Sequence, residues 1–261
     1  MNDLIQWPTA KYWTAQWNPV IGCKPCSPAC EHCYAAAWAK RFGQSFEPHE
    51  SSKMRPPRKG IVFCGNMTDL FGEWLWPNKG FCTVRSSVDF FRWTTSGISK
   101  VGIYKDATFL WLTKRVDAMC DALGHYVMPR NHYFGFTAEN QEWYEKRLEP
   151  FLDSFPKWAQ AWVSAEPLLG HIGFMFQNQA IREKIRWVVV GCESGRNRRK
   201  CPIEFVEDVV DQCRRFDVPV FVKQICLPNG KFTNKIEEFP RHLQIRQVPW
   251  KQDVAAMRRN E

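Results

Sequence analysis

The sequence predicts an α/β protein, a partial or complete (β/α) barrel with parallel strands, and three observations carry that prediction. Short apolar runs rich in β-branched and aromatic residues recur along the chain, helix-like amphipathic stretches alternate with them, and polar residues cluster just after each run. Runs without polar alternation suit strands covered on both faces, as in a parallel sheet. Strand–helix alternation gives βα units, and in such folds the C-terminal strand ends build the site. The length, 261 residues, fits one large domain better than two small ones.

In chain order, a strand before the cysteine-rich loop is followed by six apolar runs: Ile61–Cys64, Thr108–Thr113, Tyr133–Thr137, Ala161–Ala165, Trp187–Gly191 and Val218–Gln224. Amphipathic helices are expected at Asp117–Leu123, Glu139–Phe155 and Ile203–Phe216. In the last of these, Phe205, Val206, Val209, Val210 and Cys213 recur on one helical face. Residues 1–261 are read as a single domain. The less regular stretch 71–105 is expected to be an insertion, and 227–261 a C-terminal extension of turns and short strands.

The polar residues after the strands are Asn66, Thr68 and Asp69; Thr113, Lys114 and Arg115; Thr137, Glu139 and Asn140; Ser164 and Glu166; Glu193 and Ser194; and Lys223 with Gln224. One such residue often merely caps the next helix. Six strand ends in succession point to a polar pocket at one barrel mouth.

No apolar run is long enough to span a bilayer, and the N-terminus lacks the apolar core of a signal peptide, so a soluble, cytoplasmic protein without membrane contact is expected. The net charge of +9 favours an anionic partner such as nucleic acid, although a solvated basic surface explains it equally well. Two basic stretches, Lys53–Lys59 and Arg196–Lys200, suit phosphate-backbone contact or plain solvated loops.

Four of the eleven cysteines, Cys23, Cys26, Cys30 and Cys33, fall within the stretch WNPVIGCKPCSPACEHCY, and the other seven are scattered singly. In a reducing compartment disulfides rarely persist. A structural zinc site usually draws two ligand pairs from separate parts of a sequence, and no second CxxC pair is present. Three thiolates can instead hold a cubane iron–sulfur cluster that leaves one iron open to a small molecule. By spacing alone, Cys26, Cys30 and Cys33 form a C-x3-C-x2-C array followed by Tyr34. His32, inside the loop, is expected to be loop surface.

That array resembles the cluster loop of radical S-adenosylmethionine enzymes, which are usually partial or full α/β barrels. The stretch Asn18–Pro19, Gly22–Cys23 and Cys30-x-x-Cys33–Tyr34–Ala35 resembles their spore photoproduct lyase branch. It resembles more closely a phage-encoded radical-SAM-like family of largely unassigned function. The likeness continues in NMTDLFGE (Asn66–Glu73), WLTKR (Trp111–Arg115), TAENQE (Thr137–Glu142), SAEPLLG (Ser164–Gly170), WVVVGCESG (Trp187–Gly195) and VPVFVKQ (Val218–Gln224). In that family's pattern the first cysteine follows the glycine, which makes the ligands Cys23, Cys30 and Cys33. Cys26 is the runner-up to Cys23.

The resemblance implies a 4Fe–4S cluster that cleaves S-adenosylmethionine to a 5′-deoxyadenosyl radical, with an electron donor such as flavodoxin or ferredoxin. The substrate it implies is a nucleic acid base or modified nucleotide, as in rearrangement, lyase or hypermodification chemistry on phage DNA in the host cytoplasm. Tyr34, Asn66, Thr68, Asp69, Lys114, Glu139 and Ser164 are the candidates for binding the cofactor. Asn66, Thr68 and Asp69 would meet its amino group, Glu139 and Ser164 its ribose, and Lys114 or Arg115 its carboxylate. Glu166, Glu193 and Lys223 are the catalytic candidates. The competing class is a zinc- or cluster-stabilised nucleic-acid-binding protein without radical catalysis, and a further option is a cluster protein that only senses or transfers electrons.

Overall fold

The computed structural model describes residues 5–52, 55–75, 106–124, 131–156, 159–195 and 197–250. Its centre is an eight-stranded sheet curved as a half-barrel. The strands are β1 (Ile5–Gln6), β2 (Ala15–Trp17), β3 (Val20–Ile21), β4 (His49–Glu50), β5 (Lys59–Cys64), β6 (Asp106–Thr113), β7 (His132–Thr137), β8 (Gln160–Ala165), β9 (Ile185–Gly191), β10 (Val220–Cys226), β11 (Phe232–Thr233) and β12 (Gln247–Val248). The sheet order is β11-β10-β9-β8-β7-β6-β5-β2. Neighbours from β2 through β10 are parallel, and β11 adds an antiparallel edge.

All six apolar runs fall on strands, with boundaries within a few residues of those expected. The helices are α1 (Tyr34–Arg41), α2 (Val116–Gly124), α3 (Gln141–Ser154), α4 (Gln179–Lys184) and α5 (Ile203–Arg215). Helix α3 begins two residues later than the pattern predicts because Asn140 caps it, its side chain accepting from the Trp143 amide at 3.1 Å. Helix α5 buries Val206, Val209, Val210 and Cys213, as its periodicity requires, and Asp217 just beyond it takes a left-handed φ of 54°.

Period-two alternation sends successive strand side chains to opposite faces, and each face has its own core. Val62, Phe109, Trp111, Phe134, Phe136, Val163, Val188, Val190, Val220 and Val222 pack on the outer face with helix residues such as Met119, Tyr144, Phe151 and Val209. The inner, concave face carries Ile61, Phe63, Leu110, Tyr133, Trp162, Trp187, Val189 and Phe221. Two segments cover it: Trp7 and Tyr12 from the N-terminus, and Val248 and Trp250 from the C-terminus, tied together where β1 pairs antiparallel with β12. Tyr12 stands edge-on to Trp162, Trp187 and Phe221, with ring centroids 5.1–5.8 Å apart. Edge-to-face packing of this kind adds roughly 0.5–1.5 kcal/mol per pair beyond area burial. The N-terminal segment thus plugs the bottom of the half-barrel and leaves its top open.

Gly135 in β7 lies where an added Cβ would fall 2.4 Å from the Trp162 indole, so only glycine lets that ring lie flat across the neighbouring strand. Of the stretch 71–105 expected as an insertion, Phe71 and Trp74 are buried core residues, and 76–105 lie outside the described residues. The C-terminal stretch supplies β11, β12 and two 3-10 turns through residue 250. No helix among the described residues is long and apolar enough to cross a membrane.

Candidate functional site

The C-terminal ends of the strands open into a cavity of about 460 Å³, within the range of small-molecule sites. Its walls take residues from each of the six strand ends: Asn66, Thr68 and Asp69; Thr113, Lys114 and Arg115; Thr137; Ser164 and Glu166; Glu193 and Ser194; Lys223 and Gln224. The floor is aromatic, with Tyr12, Trp13 and Phe63, and the cysteine loop forms the roof through Cys23, Cys30, His32, Cys33 and Tyr34. Cys26 and Glu139 are not among the lining residues.

The loop is held over the mouth by three anchors. The first is Asp69, 7% exposed, whose carboxylate accepts from the Phe71 amide (3.0 Å), the Thr113 hydroxyl (2.7 Å), the Lys114 amide (3.0 Å) and Arg115 (3.0 Å). Arg115 then donates to the Lys24 carbonyl at 2.8 Å and lies over the Trp74 ring. In the same corner Thr68 donates to the Gly22 carbonyl (2.6 Å), Asn18 donates to Asn66 Oδ1 (2.6 Å), and Tyr34 donates to the Asn66 carbonyl. Gly22 has φ 95°, and an added Cβ there would strike the Glu47 carbonyl, so the glycine before Cys23 sets the loop's entry.

The second anchor is Glu139, fully buried and paired with Arg147, which also donates to the Thr137 carbonyl at 2.6 Å. Ser27 donates to Glu139 Oε1 at 2.5 Å. The third is Glu193, 4% exposed, which takes Arg199 on both oxygens and His32 Nδ1 at 2.9 Å. Arg199 reaches on to the Pro28 carbonyl at 3.0 Å. Burial pushes the Glu193 carboxyl up, but hydrogen bonds from Arg199 and His32 bring it below the usual carboxylate value.

The sequence-predicted residues therefore divide. Cys23, Cys30, Cys33, Tyr34, Asn66, Thr68, Asp69, Lys114, Ser164, Glu166, Glu193 and Lys223 all line one cavity. Asn66, Thr68 and Asp69 are already committed to fixing the loop. Glu139 is not among the lining residues, and its carboxylate pairs with Arg147 and accepts from Ser27. His32 is half-buried against Glu193 rather than plain loop surface. The N-terminal segment Ala10–Trp13 also lines the cavity; the aromatic density of WPTAKYW signals a packed segment but not its place in the site. Arg147 is a buried counter-ion whose need is visible only once Glu139 is buried.

At the floor, Glu166 accepts from Lys223 at 2.5 Å and from the Gln224 amide at 3.1 Å. Lys223 Nζ stands 5.5 Å from the Trp13 ring centre and 6.0 Å from that of Tyr12, within cation–π range. A paired acid and base with an amide beside them can offer both donors and acceptors to a polar substrate edge.

The thiols are unequal. A hydrogen bond from Cys26 lowers the Cys30 thiol to about 4, with help from Lys114 and against burial. Burial, with Asp69 nearby, lifts Cys23 to about 11, against the pull of Arg115. Cys30 is also one of the residues that line the cavity. Among the described residues, no three His, Cys, Asp or Glu side chains are gathered as ligands of a single metal ion. Thiolates on a cubane bind separate irons and stand further apart than ligands sharing one ion. Three soft sulfur donors around one cavity wall are the donor type such a cluster takes.

Fold and site together define an α/β half-barrel protein with a cysteine-roofed cavity at the C-terminal mouth of its sheet. The chain belongs to the family described as a protein of unknown function, DUF5131, whose model matches residues 8–244. No curated protein and no solved structure matches the chain.

Proposed function

We propose that the protein is a radical S-adenosylmethionine enzyme whose 4Fe–4S cluster is held by Cys23, Cys30 and Cys33 and whose substrate is a nucleic acid base or a modified nucleotide. The observation that supports this reading is the placement of those three cysteines around one cavity. All three line the cavity built by the six strand ends, whereas Cys26 does not. Held by Cys23, Cys30 and Cys33, the cluster would supply the electron for reductive, radical-forming chemistry on S-adenosylmethionine.

The chain's own residues do the rest. Asp69, Glu139 and Glu193 fix the loop so that the thiols keep their spacing. The ammonium of Lys114, which favours the charged form of Cys30, is available to the cofactor's carboxylate, and Ser164 to its ribose. Glu166, Lys223 and Gln224 present a mixed donor and acceptor edge suited to a base. The aromatic floor excludes water from the reacting carbon, which protects a reactive species. An external one-electron donor of the flavodoxin or ferredoxin type, in a reducing cytoplasm, is part of the proposal.

Anaerobic purification with iron and sulfide analysis tests it, followed by reduction in the presence of S-adenosylmethionine. The expected result is a four-iron cluster per chain and formation of 5′-deoxyadenosine. Bound zinc without labile sulfide would overturn the reading in favour of a zinc-stabilised binding protein, and a cluster that never cleaves the cofactor would leave an electron carrier or sensor.

A further inference from the structure

Helix α1, directly after the last cysteine of the loop, is built inside out. Its sequence, YAAAWAKR, turns Ala35 and Ala39 into the protein and leaves Tyr34, Trp38 and, one residue past its end, Phe42 outside. These three are 52%, 47% and 55% exposed, and they are the large hydrophobics exposed among the described residues. Surface helices ordinarily place their rings inward, so three rings at a spacing of four residues form a deliberate outer stripe rather than scattered exposure.

The stripe has a direction. Tyr34 lines the cavity, whereas Trp38 and Phe42 do not, so the rings lead from the mouth outward along the helix. Trp38 and Phe42 lie with centroids 4.8 Å apart, and Arg41 stands over the Phe42 ring. Lys40 and Arg41, on the same helix, are exposed, in a chain of net charge +9. Aromatic rings alternating with cations are the elements of a platform for unpaired bases and their phosphates.

We infer that α1 is a stacking track for single-stranded nucleic acid, so that the substrate is a base within a strand rather than a free nucleotide. Bases flanking the target rest on Trp38 and Phe42, with their phosphates near Lys40 and Arg41. The inference rests on the proposed nucleic-acid reading of the cavity and sharpens its substrate class.

Fluorescence anisotropy of a labelled single-stranded DNA twelve-mer, at low and at moderate salt, tests it on the full chain with and without the reconstituted cluster. The expected result is binding that weakens with salt and is not displaced by an excess of the mononucleotide. Trp38→Ala with Phe42→Ala weakens it by about tenfold or more, while Trp38→Phe retains most of it. Circular dichroism and melting of each variant report whether it has folded, and the surface position of both rings makes Trp38→Phe the safe second variant. Unchanged affinity in the folded double variant overturns the inference, as does wild-type protein that binds no strand or binds the mononucleotide equally well. Self-association of the wild type that the double variant loses also overturns it, by giving the stripe to a protein contact. Cofactor cleavage assayed without any DNA keeps the two readings apart: its loss counts against the radical proposal and leaves strand binding to be judged separately.

Discussion

Ser27 Oγ donates a 2.5 Å hydrogen bond to Oε1 of Glu139, a carboxylate with no solvent exposure that is ion-paired with Arg147. A loop residue between two cysteines is thereby tied to the end of β7, 112 positions away. Breaking a buried pair by removing one partner costs about 3–5 kcal/mol, because the other charge stays buried alone. Glu139→Ala is expected to lose that much stability in urea denaturation, and Ser27→Ala about 1 kcal/mol. Parent-like stability of Glu139→Ala would show that the pair does not hold the loop.

Glu193 joins the other side of the loop through His32 and Arg199. Glu193→Gln keeps the shape and removes the charge. Amide hydrogen exchange across residues 28–33 is expected to speed up several-fold, with little change in the strands. Exchange that rises equally in β5–β10 would mean the carboxylate serves global stability instead.

Burial of His132 lowers its pKa to about 3. Its Nδ1 accepts from the Trp111 indole at 3.0 Å, and its ring stacks on Phe109 and Trp111. A histidine whose folded value is depressed contributes stability that is present above its unfolded pKa of about 6.5 and is lost as pH falls towards its folded value. Between those limits the loss approaches about 1.4 kcal/mol per pH unit. His132→Phe should flatten the part of the acid destabilisation between pH 6 and pH 4, measured by denaturant midpoints. An unchanged slope would show that other groups carry it.

Glu166 and Lys223 form an ion pair at 2.5 Å among the residues that line the cavity. Glu166→Gln and Lys223→Met are expected to leave iron content unchanged and to reduce product formation about a hundredfold or more, the usual scale for a positioned acid or base. Loss of iron in either variant would instead assign the pair to cluster assembly.

The fold was legible because each of its parallel strands is a continuous apolar run, a pattern that burial on both faces forces onto the sequence. The strand-end polar residues were legible for the same reason, since each interrupts such a run at a fixed place. The aromatic density around Tyr12 marks a packed segment, but the pairing of β1 with β12 that ties it to the C-terminal segment was not legible, because the two strands are two residues each and carry no periodicity. Nor was the division of labour among the polar residues. Asp69 and Glu193 look like Glu166 in sequence, and only the positions of Arg115 and Arg199 reveal that they serve the loop. Glu139 reads as one more polar strand-end residue until Arg147, eight residues later, is seen to turn back on it.

Cys23, Cys30 and Cys33, and not Cys26, are proposed to hold one cluster at the cavity mouth. Iron and labile sulfide in anaerobically reconstituted Cys23→Ala and Cys26→Ala, measured side by side, decide between the two ligand sets. The expected result is loss of the cluster in Cys23→Ala and its retention in Cys26→Ala. A cluster kept in Cys23→Ala and lost in Cys26→Ala would contradict it.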